Sequence, residues 1–403
     1  MPKVVIVGAG PTGTTFALLL VKRGISVTLI EATKDFRRVF RGEGLMPSGL
    51  DALEQMGLSD IVQQIPHRPL TGWEFIIGDT LLFRVEEPMG ASRPCTLVSQ
   101  PPLLEALIEQ AQQHEGFEFI QGVPVKDVLR QQDRIVGVTL SDGRDITADL
   151  VIGADGRNSV IRHRTELPLV QQPSSIDVLW FKLLAHPRFV EDNVFCSILN
   201  KGSGFSVFHG AEAGKLHLAW ILSATDVVED VVGRENKDWA EIFASLSPPS
   251  LAEHFRTHAD TIESPIRLSV VVGRCPKWSQ PGVLLLGDAA HPMSPVRAQG
   301  INLALRDVIV AANHLVPLLQ AGASAAEIDA ASAQIQAERE PEIIGAQHLQ
   351  EQEARQGELL KGNRGLRSLL SKLAPLIGPG ARYSWVRRQQ KMRQGVTQVK
   401  LTV

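Results

Sequence analysis

The first thirty residues alternate between two patterns. Val4, Val5, Ile6 and Val7 form an unbroken apolar run, which suits a short strand buried on both faces. The glycine-rich segment Gly8-Ala9-Gly10-Pro11-Thr12-Gly13 follows, and 14–22 then reads as a helix. Gly24 stops that helix, and 25–30 is a second apolar strand ending at Glu31. The prediction is a βαβ unit with GxGxxG at its first turn. Further on, a helix is expected over 102–114. Strands are expected within 118–148, with turns at Gln131-Gln132-Asp133 and Asp142-Gly143. A buried strand over 150–152 runs into Gly153-Ala154-Asp155-Gly156 and a short helix ending in Arg162. Another strand, starting at Val283, delivers Asp288 to its carboxyl end, before a proline-containing loop and a helix near Gly300. Segments 71–98 and 176–272 differ. Their alternating stretches, such as 194–198, 205–209 and 215–221, predict an antiparallel sheet with one apolar and one polar face.

Each residue type in the first turn has a physical reason. Gly8 permits the tight turn, Gly10 lets the backbone approach a pyrophosphate, and Gly13 lets helix and strand pack closely. A pyrophosphate would sit at the positive helix N-terminus, beside Thr12. Glu31, 18 residues beyond Gly13, is placed for a ribose hydroxyl and would repel a 2′-phosphate. The motif by itself fits NAD as well as FAD. It has no second copy, which argues against flavoproteins with two dinucleotide domains.

Composition narrows the class. The 403 residues are 44% hydrophobic with a net charge of −3, which excludes wholesale disorder and argues against a nucleic-acid binder. Three separated cysteines (Cys95, Cys196, Cys275) form no CxxC, and the eleven histidines no HExxH, so no metal or dithiol centre is signalled. No apolar run approaches ~20 residues and no leader is seen, so the expected location is cytoplasmic. Charge is uneven along the chain. Residues 361–403 hold ten Lys/Arg and no acid, while the other 360 residues hold 31 basic against 44 acidic, a net −13. Leu366, Leu369, Leu370, Leu373, Leu376 and Ile377 share a helical stripe there. The expectation is a terminal helix packed on the acidic body or on a second subunit, as in a homodimer. A peripheral membrane contact through 361–393 is the alternative.

Together the three flavin-type segments resemble the signatures of the FAD-dependent class A aromatic hydroxylases, the para-hydroxybenzoate hydroxylase-like flavoprotein monooxygenases, from residue 4 to about residue 315. The resemblance implies an α/β fold: a Rossmann-like FAD-binding domain with a parallel sheet, an inserted antiparallel-sheet substrate domain and a C-terminal helical region. The FAD-binding domain would comprise 1–70, 99–175 and 273–340, the substrate domain 71–98 and 176–272, and the basic helical region 341–403. Carried over residue by residue, Gly8, Gly10, Thr12, Gly13 and Glu31 would hold the ADP part of FAD, and Arg41 the phosphates. Gln100 would meet the ribityl chain, and Val125 the adenine through its backbone. Asp155 and Gly156 would serve both FAD and NAD(P)H, and Asp288 the ribityl hydroxyls. Pro295, Gly300, Ile301 and Asn302 would form the loop beside the isoalloxazine ring. Many relatives have glycine where Arg297 or Ala298 stands, so Arg297 puts an unexpected charge near the ring.

The implied activity is NADH- or NADPH-dependent hydroxylation by O2, through a flavin C4a-hydroperoxide, of a small aromatic or planar apolar substrate. Alternatives are an FAD-dependent reductase or dehydrogenase of an isoprenoid or polyene, or a non-catalytic FAD-binding protein. Trp73, Phe205, Phe208 and Trp220 are candidate pocket residues, though large aromatics mostly serve packing. His209 and His217 are weak candidates for deprotonating a phenol. The chain has one tyrosine, Tyr383, so the paired-tyrosine relay of para-hydroxybenzoate hydroxylase cannot exist here.

Overall fold

The computed structural model describes residues 2–36, 43–172, 177–222 and 233–403. Its first sheet has six strands in the order Ser279–Gln280, Val283–Leu285, Leu150–Gly153, Lys3–Val7, Ser26–Glu31 and Phe117–Gln121. Only the first pair is antiparallel. Val4, Val5 and Ile6 are wholly buried because both sheet faces are covered. Helices Pro11–Val21, Gln100–Gln112 and Gln299–Ala321 pack on one side, and the three strands from Val125–Gln131 to Asp145–Thr147 on the other. The chain leaves Lys3–Val7 toward Ser26–Glu31 and returns on its other side at Leu150–Gly153. The carboxyl ends of these strands therefore part at a topological switch point, where a crevice opens.

The helix expected over 14–22 starts three residues earlier. Pro11 occupies its first turn, where a missing N–H costs nothing. Pro101 and Pro102 likewise start the next helix at Gln100 rather than at 102. The helix Gln299–Ala321 lies in the stretch Val296–Ala321, which is apolar and long enough to cross a membrane. It is a core helix instead, since 78% of that window is buried.

The second sheet has seven strands in the order Ile266–Ser269, Asp177–Leu184, Lys215–Leu222, Ser203–His209, Val194–Asn200, Gly72–Ile77 and Thr80–Glu86. It is antiparallel except where Val194–Asn200 meets Gly72–Ile77, a pairing between segments far apart in the chain. One face is closed by helices Asn236–Leu246 and Pro249–Thr257, over a core of Phe181, Phe205, Trp220, Trp239 and Phe243. At about 1.5–3 kcal/mol for each large apolar side chain, this layer holds the sheet in place.

The other face looks toward the first sheet and is built in rows. One row runs Lys182, His217, Phe208, Phe195, Trp73, Val85. Phe208, Trp73 and Val85 join Met46, Cys95 and Leu97 in a third core, which links the two sheets. The next row runs Trp180, Ala219, Ser206, Ser197, Phe75, Phe83, and every member is only half-buried. The expected pocket aromatics thus divide: Phe205 and Trp220 sit in the closed core, while Trp73 and Phe208 lie on the inward face. Strand alternation dictates this division, because side chains two apart share a face.

Residues 341–403 are helical up to Gln394 and touch both sheets. Helix Ala325–Gly362 begins with a capping box between Ser324 and Glu327 and buries Ile328, Ile335 and Ile343 in the first core. Helix Arg364–Gln394 crosses the edge strand Thr80–Glu86. A Cβ at Gly378 would come within 2.5 Å of the Leu82 carbonyl, so only glycine lets the helix seat there. Trp385 packs against Trp73, Phe75 and Phe83. The tail then returns to the first core at Val399.

Candidate functional site

The crevice at the switch point is a cleft of about 220 Å³. Gly8, Gly10, Glu31, Gln100, Val125, Asp155 and Gly156 all line it, although they come from five separate segments. Gly8 has φ +100, and a Cβ there would lie 2.5 Å from the Ala154 carbonyl oxygen. Gly13 faces inward: a Cβ would lie 1.9 Å from the Gly8 carbonyl oxygen. Gly10 is different, with no atom within 4 Å of its Cβ position, so its backbone faces open space. It begins helix Pro11–Val21, whose first turn has no side-chain cap. Uncapped N–H groups and the helix dipole therefore favour an anion in the cleft.

Two carboxylates bound this cleft. Glu31 accepts the Ala9 N–H (2.8 Å) through Oε2 and the Thr33 N–H (2.8 Å) through Oε1, which fixes it at the strand end. Asp155 accepts the Ile161 N–H (3.1 Å) and the Ser159 hydroxyl (2.5 Å). Burial nonetheless pushes the Asp155 carboxyl above its ordinary value. An anion cradle, a fixed acid and open backbone suit the diphosphate and ribose of FAD.

The second part of the site is the loop after Val283–Leu285. Gly287 has φ +59, and a Cβ there would lie 2.4 Å from Thr12 Oγ1, so Thr12 supports this loop from below. Asp288 Oδ1 lies 3.7 Å from the Cβ position of Gly300, which brings these two residues together. Arg162 donates to the Ala289 carbonyl (2.8 Å) and to the Arg157 carbonyl (2.7 Å), tying the second motif to the third. Beneath the loop lies a buried ionic cluster. Asp307 accepts the Gly287 N–H (3.1 Å), contacts His291 Nε2 (2.7 Å) and pairs with Arg339 (2.7 Å). Arg339 and Arg306 both pair with Glu342. Burial alone would raise the Asp307 carboxyl, but His291 and Arg339 hold it below its ordinary value. His291 therefore serves to position the loop.

The third part is residues 295–302. Arg297 (φ +60) and Ala298 (φ +48) are both left-handed without being glycine, an uncommon and strained arrangement for two successive residues. Pro295 is exposed, and Gly300 and Ile301 are half-buried at the start of the long core helix. Asn302 is wholly buried: its Oδ1 accepts the Met46 N–H (2.8 Å), and its Nδ2 donates to the Gly44 (3.1 Å) and Ala298 carbonyls. It acts as a clamp between helix and strand. Arg297 pairs with Glu353 (2.8 Å), and its guanidinium lies 4.9–5.5 Å from the ring centroids of Trp385, Phe75 and Trp73. The charge expected beside the ring is thus neutralised and boxed by aromatic faces.

The two candidate histidines part company. His209 lies on the closed side of its strand, buried, with Nδ1 bound to the Gly210 carbonyl (2.7 Å). His217 is on the inward face, and burial pushes it down to about 3, so it stays neutral. Arg41 lies outside the described residues. Glu43 did not emerge from the sequence. It is buried, with Oε2 accepting the Ala211 N–H (3.3 Å) and lying 3.7 Å from His217 Nδ1. Its one sequence signal is an acid between two glycines in Arg-Gly-Glu-Gly-Leu. The pair His254 and His258, at helical spacing, lies away from all this on the far side of the second sheet.

Comparison with known proteins agrees with this geometry. Residues 1–341 match the family model described as FAD binding domain. The chain is 29% identical over 316 residues to 6-methylpretetramide 4-monooxygenase of Streptomyces rimosus, covering 76% of this chain and 73% of that protein. It is 24% identical over 320 residues to 3-hydroxybenzoate 6-hydroxylase of Klebsiella oxytoca, covering 76% and 78%. The crystal structure of p-nitrophenol 4-monooxygenase PnpA from Pseudomonas putida DLL-E4 superimposes with a TM-score of 0.80 at 18% identity, covering 99% of this chain and 100% of that one. The fold and cleft are those of an FAD-dependent oxidoreductase. The chain belongs to the FAD binding domain family, and within it to the FAD-dependent monooxygenases, with NAD(P)H as donor and O2 as co-substrate.

Proposed function

We propose that this monooxygenase hydroxylates a small aromatic molecule held against the inward face of the seven-stranded sheet. The observation that carries the reading is the half-buried row Trp180, Ala219, Ser206, Ser197 and Phe75. The opposite face of the same sheet is closed, so this row is where a planar apolar ligand would find aromatic walls and two hydroxyls 3.3 Å apart. The relatives 6-methylpretetramide 4-monooxygenase and 3-hydroxybenzoate 6-hydroxylase support a small-molecule substrate of this kind.

Bound FAD supplies the redox chemistry and oxygen activation; the protein binds, orients and shields it. In this reading Gly8, Gly10 and the helix start above Thr12 hold the diphosphate, and Glu31 a ribose hydroxyl. Gln100, Val125, Asp155, Gly156 and Asp288 position the rest, and Arg41 joins the phosphates. Pro295, Gly300 and Ile301 form the ring loop, which Asn302 supports, while Gly13 packs against Gly8. The N–H groups at the start of helix Gln299–Ala321 would favour negative charge beside them. Residues 1–70, 99–175 and 273–340 serve the cofactor, and 71–98 and 176–272 the substrate. A cytoplasmic location belongs to the same reading.

The test uses purified, FAD-loaded protein in air with NADH or NADPH and a panel of phenols, anilines and polycyclic aromatics. Donor oxidation, peroxide release and product mass are read together. A compound that speeds donor loss, suppresses peroxide and gains one oxygen atom supports hydroxylation. Gain of two hydrogens would instead establish the reductase reading, and no acceleration by any compound would oppose both.

The C-terminal helix favours a second role, contact with an anionic membrane surface. Leu369, Leu376 and Tyr383 recur every seven residues on its outer side and are 53%, 78% and 71% exposed. Lys372, Arg387 and Lys391 are exposed on the same side, and the helix carries no acid. Flotation with vesicles containing phosphatidylserine should carry the protein upward at low salt, and Leu376→Glu should abolish this. Dimerisation without flotation would assign the same face to a second copy.

A further inference from the structure

Resting on the hydroxylation reading, we propose that the substrate carries a ring hydroxyl and that Glu43 is the base that takes its proton. Four observations place Glu43 for this. It sits at the seam between the sheets: its carbonyl accepts the Val98 N–H (2.8 Å), while its carboxylate reaches across to the Ala211 N–H (3.3 Å) and His217 (3.7 Å). Its neighbour Gly44 touches the ring loop, since a Cβ there would lie 3.1 Å from the Ala298 Cβ. His217 in turn meets Phe208 and Trp180 edge-on, at 5.6 and 6.0 Å, so the carboxylate borders the aromatic end of the half-open row. Finally, the sole tyrosine, Tyr383, is exposed on the C-terminal helix.

The groups facing Glu43 define its behaviour. From the second sheet come His217 and Lys182, and from the turn after Ser203–His209 come the Ala211 amide and Glu212, whose carboxylate lies 3.5 Å from Lys182 Nζ. His209 and Lys215 act on His217 rather than on Glu43. Burial raises the Glu43 carboxyl to about 7, against a smaller lowering by the Ala211 amide and Lys182. A base that titrates near the working pH is suited to proton transfer. Neutral His217 lies beside the carboxylate, and the Ala211 N–H donates to it.

The step balances as follows. The substrate O–H bond breaks toward the Glu43 carboxylate, and the electron pair stays on the ring oxygen, enriching the ortho and para carbons. One atom of O2 forms a new C–O bond at such a carbon and is protonated there; the other leaves as water, with two electrons and one proton from the NAD(P)H hydride and one proton from solvent. The displaced ring hydrogen departs as a proton when aromaticity returns. Glu43 then gives its proton back to the original oxygen.

Two experiments test this on the FAD-loaded protein. Without NAD(P)H, binding of phenol, p-nitrophenol and 3-hydroxybenzoate is compared with that of their methyl ethers, by perturbation of the flavin absorbance. The free hydroxyl should be preferred about tenfold or more once Glu43 is ionised, as a charge-assisted hydrogen bond requires. That preference should grow as pH rises through about 7 and lose its pH dependence in Glu43→Gln. With NAD(P)H and O2, Glu43→Gln should lower kcat/KM about 100-fold or more and remove the acid limb, whereas Glu43→Asp keeps the limb at reduced rate. Unchanged pH dependence in Glu43→Gln, or no preference for hydroxyl over ether in the parent protein, overturns the proposal. Undiminished oxygen insertion by Glu43→Gln overturns it too, while leaving the monooxygenase reading intact. Failure of every panel compound to gain oxygen sinks that reading instead, and the binding comparison still decides the role of Glu43.

Discussion

The cofactor cleft and the inward face of the second sheet are built by opposite means. The cleft is made of backbone: glycines where no side chain fits, an uncapped helix start, and an acid pinned at a strand end. The inward face is made of side chains that meet only through long-range register, from Trp180 across to Phe83. The first design tolerates almost no change and admits one type of ligand. The second can change one residue at a time without disturbing the cleft, which lets one fold host many substrates.

Five substitutions probe this contrast, beginning with the most damaging. Gly13→Val should abolish FAD retention and folding together, because a Cβ would collide with the Gly8 carbonyl at 1.9 Å. Gly10→Ala should leave the melting temperature of the apoprotein unchanged and weaken FAD alone, since its Cβ position is open. Equal loss of melting temperature in both would break the distinction. Arg339→Met removes the buried cation shared by Asp307 and Glu342, leaving them His291 and Arg306, and should cost about 3–5 kcal/mol in denaturant unfolding, with the loop at Asp288 loosened as a result.

Glu43→Gln should raise the stability of the apoprotein. A carboxyl raised from 4.5 to about 7 destabilises the fold progressively as pH rises between those values, and the full penalty holds above them. The gain over the parent should be absent below pH 4.5 and reach up to about 3 kcal/mol above pH 7, by urea titration. The smallest effect belongs to Arg297→Ala, which removes a boxed guanidinium worth about 0.5–2 kcal/mol and leaves Glu353 without this partner. It should alter KM for the aromatic substrate and leave FAD affinity nearly unchanged. A matching fall in FAD affinity would place Arg297 with the cofactor rather than with the substrate.

The same contrast explains what the sequence reveals. Gly8, Gly10 and Glu31 are legible because they belong to one local βαβ motif, whereas Gln100, Val125, Asp155 and Gly156 come from the resemblance to the class A aromatic hydroxylases. Their convergence follows once Lys3–Val7 and Leu150–Gly153 are read as neighbouring parallel strands. The inward face is not legible in this way. Alternation marks 205–209 as a strand but does not say which parity faces the first sheet, so Phe205 and Phe208 look equivalent until the helix Asn236–Leu246 closes one side. His209 and His217 are indistinguishable for the same reason. Glu43 escapes notice because its partners, Ala211 and His217, stand more than 160 residues away. The basic C-terminal stretch shows its helical stripe plainly, but its seat on the edge strand depends on Gly378 meeting a carbonyl near residue 82.

The most direct test of the central claim is isotopic. FAD-loaded protein, NAD(P)H and the aromatic compound that most accelerates donor oxidation are incubated under 18O2, and the product is weighed. The account predicts a product that carries one atom of 18O per turnover and little free peroxide. A product without label, or peroxide formed in step with every donor oxidised, would contradict it.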